Sequence, residues 1–127
     1  MSIHPVLRYT DAPAAIAFLT DTFGLVQGHT STDDAGTVTH AELSWDDAVV
    51  MLGTRSDPPG MFDTGRAVLY LTTDDPDALH ERVAAAGAEI VYGPCEQPYG
   101  FREFGAKDPE GNVWCFGAYR PTAQVSR

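Results

Sequence analysis

A chain of 127 residues, 43% of them hydrophobic, has the length of one ordinary domain and buries roughly two-thirds of its surface on folding. With 18 acidic against 8 basic side chains its formal net charge is −10, which repels phosphate backbones and anionic membrane surfaces and argues against nucleic acid as a partner. The opening "MSIHPVLRYTD" has neither the basic start nor the apolar run of a signal peptide, and no stretch approaches the ~20 apolar residues that span a bilayer, so a soluble, cytoplasmic protein is expected.

In chain order, "PVLRYTDAPAAIAFLTDTFGL" predicts a strand, an Asp-x-Pro helix start, an apolar helix and a glycine stop. Asp11 or Ala12 occupies N-cap territory, and Ile16, Leu19 and Phe23 recur at helical spacing. Strands follow at Thr37 to Trp45 and Ala48 to Gly53, joined by a tight Asp46-Asp47 turn, while Gly28 to Gly36 reads as loop. "TRSDPPGMFDTG", residues 54–65, carries Pro, Gly and Asp without periodicity and predicts a linker. The same plan then recurs. "AVLYLTTDDPDALHERVAAAGAE" again gives strand, Asp75 cap, helix with Leu79, Val83 and Ala86 on one face, and glycine; Val6 and Val68 lie 62 residues apart, Gly24 and Gly87 63 apart. A weaker strand near Glu89 to Tyr92, then Arg102 to Ala106, the Pro109 to Asn112 turn and Asn112 to Ala118 complete it, with Pro94 to Phe101 as loop. Each half is βαβββ, and neither holds enough core to stand alone. One α+β domain over residues 1–127 is expected, with module one at about 1–53, the linker at 54–65, module two at about 66–120 and a short C-terminal tail. The two cysteines, Cys95 and Cys115, stand in no metal-type spacing and are expected to stay reduced.

These segments, and most specifically "REFGAKDPEGNVWCFGAY", resemble the vicinal oxygen chelate superfamily of glyoxalases, bleomycin-resistance proteins and dioxygenases. The resemblance covers nearly the whole chain. It implies two βαβββ modules, each curling a mixed sheet into an open half-barrel, with a pocket between modules and a homodimer. Metal-using relatives draw ligands from four strand positions, which fall here on His4, Met51, Val68 and Cys115. Only His4 matches; thioether, isopropyl and thiol replace the other donors, and one imidazole does not hold a divalent metal that needs about three protein ligands. Imidazole, thioether and thiolate form a set suited to copper(I), although Met and Cys on half-buried strands are mostly packing residues. No cofactor is therefore expected, and Cys115 is expected to pack.

Alternation along strands extends the proposed pocket. If His4 faces it, Val6 and Arg8 do too; the Asp46-Asp47 hairpin adds Glu42 and Met51; Val68 and Tyr70 follow, then Cys115, with Phe101 and Arg102 at a rim or lid beside Tyr99. Leu7, Leu43, Val50, Leu69, Leu71, Trp114 and Phe116 then face the helices as core. Arg8 and Glu42 are expected to pair across strands. Apolar walls with a few polar groups suit a small, partly aromatic organic ligand, so metal-independent binding in the manner of resistance proteins is the leading expectation. The alternatives are a divalent-metal lyase, isomerase or dioxygenase, and metal-free acid–base catalysis on a carbonyl compound by His4 or Glu42.

Overall fold

The computed structural model describes residues 1–124; residues 125–127 of the expected tail lie outside the described residues. Module one runs β1 (Val6–Tyr9), α1 (Ala12–Phe18), β2 (Val26–Thr32), β3 (Val38–Trp45) and β4 (Ala48–Thr54). Module two runs β5 (Val68–Thr72), α2 (Pro76–Ala85), β6 (Glu89–Glu96), β7 (Arg102–Lys107) and β8 (Val113–Gly117). Each module forms one open four-stranded mixed sheet, sheet A in the order β1-β4-β3-β2 and sheet B in the order β5-β8-β7-β6. The first strand lies parallel to the last in each, and the other pairs are antiparallel.

Both helices begin as the sequence predicts. The Asp11 carboxylate accepts the Ala14 amide at 3.0 Å and the Asp75 carboxylate accepts the Ala78 amide at 3.1 Å, satisfying amides that have no partner within the helix. Gly24 (φ 90°) and Gly87 (φ 87°) adopt the left-handed conformation that ends each helix, which a Cβ would oppose. Between α1 and Gly24 the chain widens into a π-helical turn, Leu19–Phe23. That turn sends Phe23 into the other module, 5.0 Å from the ring of Phe116 and 5.7 Å from that of Trp114. On α2 Pro76 and Val83 are buried; Leu79 is half-buried, and Ala86, expected on the apolar face, is exposed just beyond the last helical turn.

The two modules share one core. Leu7, Leu43 and Val50 of sheet A and Leu69, Leu71, Trp114 and Phe116 of sheet B are all buried, as alternation requires. Each such side chain contributes about 1.5–3 kcal/mol. Trp45 joins the sheets directly, its indole NH donating to the Thr72 carbonyl at 2.8 Å and its ring 5.5 Å from Phe116.

A second joint is polar and explains the "KDPEGN" turn. The buried Asp108 carboxylate accepts the Tyr9 hydroxyl at 2.6 Å, the Trp114 indole NH at 3.0 Å, the Asn112 side-chain amide at 2.9 Å and the backbone amides of Glu110 and Asn112. Glu110 then accepts the amides of Thr10 and Asp11 at 2.7 and 2.9 Å, so the last turn of module two is bound to the strand–helix joint of module one.

Two loop expectations are corrected. Residues 26–32, mostly within the expected loop from Gly28, form β2, and β6 continues through Pro94 to Glu96, leaving 97–101 as the connection. Both are outermost strands with register shifts against their neighbours; β2 has no fully buried side chain, and β6 passes through Gly93 and Pro94, residues that read as loop. No helix among the described residues is long and apolar enough to cross a membrane.

Candidate functional site

Because the core takes one face of each sheet, the alternate residues line the other. On sheet A the register sets Val6 and Glu42 on either side of Met51, and Ser44 opposite Val49. On sheet B, Tyr70 and Gly105 flank Cys115, and Tyr92 lies opposite Gly105.

The face of sheet A sets polar side chains beside Val6, Val49 and Met51. His40 Nε2 lies 2.9 Å from Glu42 Oε2, and that hydrogen bond, with the positive potential of His40, His29 and His4, holds the Glu42 carboxyl below its ordinary value of 4.5. The expected Arg8–Glu42 pair is absent: His40 takes Glu42, two residues along the same strand and on the same face, while the Arg8 guanidinium carbon stands 5.6 Å from the centre of the Phe62 ring. His4 is exposed, its Nδ1 3.0 Å from the Val49 carbonyl and its Nε2 2.8 Å from the Ser2 hydroxyl.

The face of sheet B is aromatic. Tyr119, just beyond β8, is the centre of a ring cluster at one end of it, with Tyr99 and Phe101 each 5.5 Å from its ring and Tyr70 at 6.4 Å. Beneath them Glu103, only 8% exposed, accepts hydrogen bonds from the Tyr92 and Tyr99 hydroxyls. Burial, then the Cys115 thiol and the Glu103 carboxylate, push the Tyr92 phenol well above its ordinary pKa, because a phenolate there is desolvated and faces a like charge. Tyr70 is raised too, chiefly by burial, while its oxygen accepts the Tyr119 amide at 3.0 Å.

Cys115 is thus half-buried on the floor of this face, beside Tyr92, and not in the core between sheet and helix. Arg102, expected at the rim, points to the other side of β7, where its guanidinium grips both oxygens of Asp77 on α2 at 2.8 and 2.9 Å. Phe101 is on the rim, 40% exposed. Glu103, Tyr92 and Tyr119 were missed in the sequence. Extending the strand register back from the Asp108 turn, through Lys107 opposite Val113 to Glu103 opposite Gly117, would have found the carboxylate.

A cavity of about 550 Å³ between the modules is bordered by Ile3, Pro5 and Val49 from one and by Val68 and Tyr70 from the other. Of the expected pocket residues it unites only Val68 and Tyr70. Arg8, Glu42 and Met51 belong to sheet A, with His4 just ahead of β1; Cys115 belongs to sheet B, with Phe101 in the connection before β7; and the sheets join through their opposite faces. The four metal positions hold one imidazole, one thioether, one hydrocarbon and one thiol, and among the described residues no three His, Cys, Asp or Glu side chains are placed to hold an ion. These residues do not fit a resident divalent metal.

Two βαβββ modules, each carrying one open four-stranded mixed sheet, define the class of fold. The sequence model of the Glyoxalase/Bleomycin resistance protein/Dioxygenase superfamily matches residues 2–116, and the chain belongs to that superfamily. Among solved structures it is similar to TioX from Micromonospora sp. ML1 (29% identity, TM-score 0.78, covering 92% of this chain and 97% of that one). It is also similar to a glyoxalase/bleomycin resistance protein from Streptomyces sp. CB03234 (26% identity, TM-score 0.69, 89% and 96% covered). A lactoylglutathione lyase from Agrobacterium tumefaciens shares the fold (21% identity, TM-score 0.72, 92% of each chain covered). No curated protein matches the sequence.

Proposed function

We propose that the protein binds a small, partly aromatic organic molecule without a metal, on the aromatic face of sheet B, and that a second copy of the chain closes this open face in a homodimer. The observation that carries this is the group of four rings, Tyr70, Tyr99, Phe101 and Tyr119, gathered above a buried carboxylate. Offset or edge-on stacking on such rings favours a flat apolar ligand, and Glu103 exchanges the Tyr99 hydroxyl for a donor on that ligand. Three of the rings are at least 40% exposed, an apolar area that a partner or ligand would cover. Unpaired thiols, Cys95 exposed and Cys115 half-buried, suit a reducing, cytoplasmic setting.

Calorimetric titration of tag-free protein with a panel of aromatic antibiotics and metabolites tests the proposal. Saturable binding is expected, weakened roughly tenfold by Tyr119→Ala and by Glu103→Gln, since one stacked ring or one buried hydrogen bond is worth about 1–2 kcal/mol. Silence across the panel would sink it. Elemental mass spectrometry of the same preparation should find metal far below one ion per chain; stoichiometric metal linked to turnover would move the protein among the metalloenzymes. Sedimentation should give twice the chain mass of 13.7 kDa.

A further inference from the structure

Three of the chain's eight basic residues, Arg8, Arg55 and Arg66, border one cavity of about 290 Å³ at the end of β1, between the linker and the β7–β8 turn. From this geometry we infer that the cavity is a binding site for an oxyanion of the phosphate type. None of the three guanidiniums is in an ion pair among the described residues, in a protein with more than twice as many acidic as basic side chains. Arg55 donates to the Thr64 and Asp63 carbonyls at 2.9 and 2.8 Å, and Arg66 Nε to the Glu110 carbonyl at 3.3 Å; these bonds to neutral carbonyls fix position without neutralising the guanidiniums. Arg8 Nε is buried with no acceptor.

The nearby acids are engaged elsewhere. Asp63 accepts the amides of Ser56 and Gly60 at 3.0 and 2.6 Å. Glu110, on the cavity wall, uses both oxygens on the Thr10 and Asp11 amides; set against Glu110 and Asp63, three guanidiniums still leave a net positive charge that attracts an oxyanion.

The arginines are also seated by glycines. A Cβ on Gly53 would stand 2.8 Å from an Arg8 terminal nitrogen, and one on Gly111 2.5 Å from Arg66 Nε. Thr10, Thr64 and Gly65 complete a wall able to donate hydrogen bonds. This site shares no side chain with the aromatic face of sheet B and stands or falls separately.

The test is the thermal unfolding midpoint of the full chain as inorganic phosphate replaces chloride at fixed pH and ionic strength, with phenyl phosphate in a parallel series. A saturable rise of about 3–8 °C is expected once phosphate exceeds its Kd roughly tenfold. The rise should vanish in Arg66→Gln and Arg8→Met and persist in Arg120→Gln, a charge loss at an exposed pair with Asp74. Arg66 is exposed, so its variant decides the matter even where Arg8→Met folds poorly. Greater potency of phenyl phosphate marks the anion as the head of an organic ligand, equal potency as a free ion, and both support the site. No saturable rise, or one that survives in Arg66→Gln, overturns it.

Discussion

Asp108 shows how much one side chain can carry. With its carboxylate removed, the Tyr9 hydroxyl, the Trp114 indole and the Asn112 amide remain buried without their acceptor. Asp108→Ala should therefore cost at least about 3 kcal/mol in urea unfolding, and Asp108→Asn less, because a carbonyl oxygen survives. The same contact governs alkaline behaviour. Burial and the neighbouring Asp108 raise the Tyr9 phenol far above its ordinary 10.0, so its contribution to stability is whole below pH 10 and declines as pH climbs beyond it. A spectrophotometric titration should find Tyr9, Tyr70 and Tyr92 ionising later than free tyrosine. Glu42 has the opposite sign: its lowered pKa stabilises above the ordinary carboxylate range and is lost on acidification, and His40→Gln should return its NMR-detected pKa toward 4.5.

At the scale of the element, legibility followed burial. Strands β1, β3, β4, β5 and β8 each bury alternate side chains and could be drawn from the sequence, register included: Glu42 opposite Met51 follows from a two-residue turn. β2 and the far half of β6 could not: β2 buries no side chain fully, and β6 runs on through Gly93 and Pro94, which read as loop residues. The π-helical turn left no mark either, its glycine stop being the same with or without it. The site suffered similarly: Glu103 sits in a strand whose alternation includes Gly105, a position with no side chain to reveal the pattern. That glycine is not interchangeable. A Cβ there would meet the Tyr92 ring at 2.4 Å, so Gly105→Ala should displace Tyr92 from Glu103 and cost about 1–3 kcal/mol by unfolding.

For the whole molecule, the modules are held together twice over, by the shared aromatic core and by the bonds from Asp108 and Glu110 to Tyr9, Thr10 and Asp11. Neither depends on the peptide that links them. Met61 and Phe62 in that segment are 83% and 64% exposed, which makes a chymotryptic cut after Phe62 accessible. The nicked protein should elute as one particle and melt in one cooperative step; separation of the pieces would show the joint to be weaker than its bonds imply. Covalent continuity would then be a convenience of synthesis, and two half-chains expressed apart should find each other and rebuild the same molecule.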